Sequence, residues 1–286
     1  MLWKRVKELS SKQFLAELCI LIVFLSWGLN YNLIKYCLQY TTPLIFNCLS
    51  FGSGFLLLLF LLYDKLRWID IIPSLFVGLF IFIFSSMQLL ALTQTLVAKT
   101  AFYATLDIPV TALLELFLRR LEYHEYVGVT CSIFGALLLS WDGNSVSINI
   151  GDLYSILACV PSSFYFFSCS LFATSKAKDS ICVGQLFVPF VFSGFLSVLV
   201  ESPQFRLHWK LVVGIVSSGC ICSGIAFFLL TWAQMYTTPT RMVIIGAPEP
   251  VFAALVAYIF YGEVFESYVN VLGAMLMIIG KCLPSL

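Results

Sequence analysis

Long apolar runs follow one another along almost the whole chain, parted by short polar segments. A bilayer span needs roughly 20 mostly apolar residues, within a range of about 17–25. On that rule the pattern predicts helices at 14–37, 42–62, 71–92, 100–118, 126–141, 153–174, 181–200, 211–233, 242–260 and 267–282. The fifth is short, so nine helices is the rival count.

The basic residues test this draft, because short cytoplasmic loops retain Lys and Arg. With the N-terminus inside, 12 of the 16 basic residues fall on the cytoplasmic side, and only Lys35, Lys99, Arg206 and Lys210 lie opposite. A missed or invented helix would scramble that split. Ten helices with both termini cytoplasmic is the expected topology.

The pattern also repeats. Pro109 matches Pro250 and Glu122 matches Glu263, both at a spacing of 141. Gly128 and Gly135 are seven apart, as are Gly273 and Gly280. Seven residues are about two helical turns, so each pair shares a face and permits close helix approach. An odd number of helices per half inverts the second half in the membrane, and inverted repeats place a solute site near the midplane. The expected architecture is therefore an all-α integral membrane protein of ten transmembrane helices. It forms two inverted five-helix repeats, residues 13–141 and 152–283, joined by a Gly-, Asn- and Ser-containing linker.

Composition agrees: 60% of residues are hydrophobic, 11% are charged and the net charge is +1. Soluble domains average about 25% charged residues, and neutrality gives no footprint for nucleic acid. The ten cysteines include no C-x-x-C pair and mostly sit inside apolar runs, where cysteine acts as a small hydrophobe. Lys4, Arg5, Lys7 and Lys12 resemble the start of a signal peptide. The apolar stretch that follows is too long for one and lacks a small-residue cleavage site, so it is read as an uncleaved first span.

Ionisable groups inside spans are costly and usually functional or paired. Glu17 and Lys35 lie near helix ends and can reach an interface, while Glu115 precedes Arg119 by four residues and can pair with it. Asp107 and Glu249 are different. Each lies about seven residues into its helix, roughly 10 Å deep, beside Pro109 or between Pro248 and Pro250. A proline frees a carbonyl and bends its helix, so each acid can bind a cation or carry a proton. The competing reading is that Glu249 only ties down the broken helix. Trp27, Asn30 and Gln88 are candidate cavity residues, with Tyr103 on the face of Asp107 and Tyr165 opposite by repeat symmetry. Asn30 and Asn32 diverge by about 160°, so one of them at most faces a cavity. Gln94 and Gln234 recur in both halves near helix ends, which favours a structural role.

The segments TWAQMYTTPTR, APEPVFAALVAYIFYGE and VLGAMLMIIG, with WGLNYNLIK in the first helix, resemble the EamA-like group of the drug/metabolite transporter superfamily. Asp107-Ile108-Pro109-Val110 departs from a more usual Leu-x-Pro. The resemblance implies alternating-access transport of amino acids, nucleotide-like metabolites or cationic compounds across a bacterial inner membrane. Within the superfamily the chain looks most like exchangers of S-adenosylmethionine and S-adenosylhomocysteine. The expected partners are a small-molecule substrate and the lipid bilayer, with no nucleic acid and no cofactor, in a monomer or homodimer. A membrane enzyme is the first rival, but His124 and His208 lie in loops and no H-E-x-x-H or D-D-x-x-D run occurs. A channel is the second, but no filter segment is visible.

Overall fold

The computed structural model describes residues 2–115, 123–141, 145–202, 204–265 and 267–282. The expected Glu115–Arg119 pair and Glu122 fall outside the side chains described. The helices are α1 (Leu2–Cys37), α2 (Pro43–Leu62), α3 (Ile71–Gln94), α4 (Val97–Ala104), α5 (Asp107–Glu115), α6 (Tyr123–Leu139) and α7 (Ile150–Phe172). They continue as α8 (Lys178–Val200), α9 (Trp209–Val216), α10 (Ala226–Ala233), α11 (Pro239–Ile245), α12 (Glu249–Tyr261) and α13 (Tyr268–Cys282). A π-helical stretch, Ser217–Ile225, joins α9 to α10 in one rod.

Most boundaries follow local chemistry. Pro43 and Pro239 open α2 and α11, where the missing N–H costs nothing. Asn149 and Asp152 form a reciprocal capping box that starts α7. The linker expected up to residue 152 therefore ends at this cap. The first helix begins before the expected residue 14, because the basic segment continues the same helix.

Among the described residues, eight helical segments are long and apolar enough to cross a bilayer, and two apolar helices, Tyr126–Leu139 and Tyr268–Gly280, are shorter. At 1.5 Å per residue these two fall below the roughly 30 Å hydrocarbon thickness. They are the expected fifth and tenth spans, so their length alone does not bring the count to ten.

The two short helices, α6 and α13, pack on each other. A methyl group on Gly135 would stand 2.7 Å from Gly273 O and 2.5 Å from Met277 Cγ; one on Gly273 would stand 2.6 Å from Gly135 O and 2.5 Å from Leu139 N. Gly280 faces Gly128 O at 2.7 Å in the same way. The obstructing atoms are largely backbone, which cannot yield. Elsewhere α3 packs on α7 and α8, α2 on α8, and α1 on α12 and α10. Large apolar residues such as Phe60, Ile72, Phe195 and Phe260 point outward, as lipid-facing positions do.

Gly273→Leu should therefore lower the yield of monodisperse protein several-fold, read by fluorescence-detected gel filtration after detergent extraction. A normal yield with altered solute selectivity would move these glycines from packing into the pathway.

A central cavity at two broken helices

The span expected at 100–118 is two helices, as is the span expected at 242–260. Each was expected to bend beside its acid; instead the helix stops and restarts just ahead of it. Three-residue turns carry the chain across: Leu106 N–H donates to Tyr103 O and Ile108 N–H to Thr105 O in the first, Ala247 N–H to Ile244 O and Glu249 N–H to Gly246 O in the second. Each pair of bonds matches the other at a spacing of 141, so the repeat extends to the backbone of the breaks. The prolines explain them. Pro109 and Pro250 have no N–H to donate to the preceding turn, and Pro248 disfavours a helical Ala247.

Each restarted helix begins with a carboxylate: Asp107 opens α5 and Glu249 opens α12. Anions are favoured at a helix N-terminus, by about 0.3–1 kcal/mol when exposed and up to ~2 kcal/mol when partly buried. Both residues are 6% exposed. They are not strict mirror mates. At a spacing of 141, Asp107 falls on Pro248 and Glu249 falls on Ile108.

Asp107 and Glu249 line one cavity of about 90 Å³, together with Trp27, Asn30, Tyr31, Gln88, Asn47, Ser50 and Ser85. Five of the seven expected site residues thus meet in one place: Trp27, Asn30, Gln88, Asp107 and Glu249. Of the two asparagines on α1, Asn30 faces the cavity, while Asn32 donates to Gly28 O and Ala253 O and ties α1 to α12. Gly28 permits that contact, since a methyl group there would stand 2.9 Å from Glu249 O.

Tyr103 and Tyr165 are not in the lining. The Tyr103 hydroxyl pairs with Ser140 Oγ at 2.7 Å and fastens α4 to α6. Tyr165 is fully buried against Phe84, Phe166 and Phe227. Spacing alone put Tyr103 on the face of Asp107, but the helix break between them rotates that face away. Sequence reasoning missed Asn47, Ser50 and Ser85, because single hydroxyls and amides in apolar helices carry no spacing signal.

Aromatic rings form one end of the cavity. Trp27 meets Phe24 at 5.3 Å and Phe227 at 5.4 Å between ring centroids, and Phe51 meets Phe227 at 6.0 Å. The Trp27 indole N–H donates to Cys222 O at 2.8 Å, a carbonyl in the π-helical stretch. Such stretches recur at functional sites. No basic side chain stands among the described lining residues.

One end of the bundle is fastened by charge. Lys35 Nζ pairs with Glu263 Oε1 at 2.7 Å and donates to Thr95 O at 3.2 Å. The second oxygen of Glu263 accepts from Val97 N at 2.8 Å, capping the start of α4. Thr95 Oγ1 binds Asp152, which also faces Lys99 at 4.0 Å. Lys35 is thus held by partners on two other elements rather than reaching for the interface. Lys210 and Arg206 join this end through Tyr36 and Tyr40, so the four basic residues expected together do lie together. Glu17 pairs with Arg241 at 2.7 Å in a more exposed contact.

Broken helices that meet in an acid-bearing cavity are a recurring feature of membrane transporters. Comparison with known proteins agrees. The profile of the EamA-like transporter family matches residues 14–141 and again 149–286, so the chain belongs to that family. It is 22% identical over 277 residues to an uncharacterized transporter of Archaeoglobus fulgidus, covering 96% of this chain and 87% of that one. A solved crystal structure shares the fold at a TM-score of 0.68, with 18% identity and 96% of both chains covered.

The Glu263 side chain is 8% exposed, so Glu263→Gln strands Lys35 and weakens the α4 cap. Removing one partner of a buried pair costs about 3–5 kcal/mol, and the 26% exposure of Lys35 lowers that to about 2 kcal/mol. Arg241→Gln, at the exposed pair, should cost about 0–1 kcal/mol. Thermal unfolding in detergent should show a clear fall in Tm for the first and little for the second; equal falls would remove the distinction.

Proposed function

We propose that this transporter moves a small organic cation through the central cavity by alternating access. The observation that carries this reading is charge: two buried carboxylates, aromatic faces and no basic group in the described lining. An anionic solute would meet repulsion there. A cation gains Coulomb attraction from Asp107 and Glu249 and a quadrupole contribution from Trp27 and Phe227. The five lining residues expected from the sequence are the binding residues in this reading; Tyr103 and Tyr165 support the wall behind them.

The breaks at 105–106 and 246–248 are the natural hinges, since they already interrupt the helical ladder. The distribution of basic residues favours placing the Lys35–Glu263 end outside and both termini in the cytoplasm of a bacterial cell. S-adenosylmethionine, with a sulfonium and an adenine ring, belongs to the chemical class this cavity suits. It requires a wider state, since sites for drug-sized ligands measure about 300–1,000 Å³. Amino acids and other small metabolites are the second reading, which the lack of a basic partner for a carboxylate disfavours.

Asp107→Asn keeps the shape and removes the charge. It should weaken cation uptake into proteoliposomes by tenfold or more, a change of about 1.4 kcal/mol, at normal folded yield. Glu249→Gln should act in the same direction, and Glu17→Gln, outside the cavity, should not. Unchanged uptake in both cavity variants would refute the cation reading.

A further inference from the structure

We propose that the cavity holds a second, neutral subsite, formed by Ser50 and Asn30, which selects cations that also carry a hydroxyl group. The inference rests on the cation reading above and sharpens it. Serines within membrane helices usually donate back to a carbonyl three or four residues earlier. In this chain Ser26, Ser53, Ser74, Ser85, Ser155, Ser163 and Ser168 all do so. Ser50 does not. It is 3% exposed, lines the cavity, and its hydroxyl has no hydrogen-bond partner among the described residues.

The carboxamide oxygen of Asn30, also in the lining, is likewise buried without a partner. Buried polar atoms are almost always satisfied, so an orphan in a cavity wall calls for an explanation. A ligand group supplies one here. Asn30 Oδ1 needs a donor, and Ser50 Oγ can donate or accept. A ligand hydroxyl can fill either role, as donor to Asn30 or as partner to Ser50, and a bare alkyl group can fill neither.

Several other polar groups of the lining are already bonded to protein. One turn before Ser50, Asn47 Nδ2 donates to Ser193 Oγ at 2.9 Å and Ser85 Oγ at 3.0 Å, pinning α2 to α8 and α3. Gln88 donates to the Tyr31 hydroxyl at 3.0 Å. These bonds fix part of the wall, whereas Ser50 Oγ and Asn30 Oδ1 are buried lining atoms with no partner among the described residues. Asp107 and Glu249 line the same cavity, so a solute is read there for charge as well as for hydroxyl.

The test is equilibrium binding to the purified transporter with two probes of matched charge, radiolabelled choline and ethyltrimethylammonium, which lacks the hydroxyl. The parent should prefer choline about fivefold to tenfold, the value of one net hydrogen bond. Ser50→Ala and Asn30→Ala should each bring the ratio of the two affinities close to one. Asp107→Asn should weaken both probes alike and leave the ratio intact. A parent that binds both cations equally, or a ratio unchanged in both alanine variants, overturns the subsite while the cation reading stands. A parent that binds neither cation overturns both.

Discussion

Inside a bilayer no water is present to satisfy a broken helical ladder, so irregular backbone survives only where it lines a protein cavity or is buried. The paired breaks before Asp107 and Glu249 follow this constraint, and much of the molecule is arranged around them. The 3₁₀-type turns recover part of the lost bonding. Ser163 adds to this, its one hydroxyl proton shared between Cys159 O at 2.8 Å and Asp107 O at 2.9 Å. The two acids sit at the starts of the restarted helices, so the two structural weak points present two acidic side chains to one cavity.

That arrangement places different demands on the rest of the bundle. Around the cavity, α1 and α12 must lie close enough for Asn32 to bond Ala253 O, and the π-helical stretch must present Cys222 O to Trp27. At one end, the Lys35–Glu263 pair links α1, the entry to α4 and the segment after α12. Two of these elements adjoin the breaks, so a change in either broken helix is felt at that pair. The glycine-faced α6 and α13 lie apart from the cavity lining and hold the two halves together.

The membrane class, the repeat and the two acids were legible because each leaves a local mark: apolar runs of span length, a spacing of 141, and charge within a hydrophobic segment. Trp27, Asn30 and Gln88 stood out for the same reason, as polar tips in apolar helices. The helix breaks were legible only as bends, since proline signals strain without fixing where the ladder reopens. That error carried Tyr103 into the expected site, because a face drawn by i,i+4 spacing holds only while the helix is continuous. The ion-pair partners of Lys35 and Glu17 lie more than 220 residues away in sequence, and no local pattern encodes such pairs. Ser50 and Asn47 were hidden by their ordinariness.

The proposed function requires this cavity to open in turn to the two sides of the membrane. Cys222 lines it, so the chain carries its own reporter. In a variant that keeps only Cys222, a membrane-impermeant thiol reagent should label the protein in both right-side-out and inside-out vesicles, and a transported cation should slow both reactions. Labelling from one side alone, at a rate indifferent to the cation, would contradict the account.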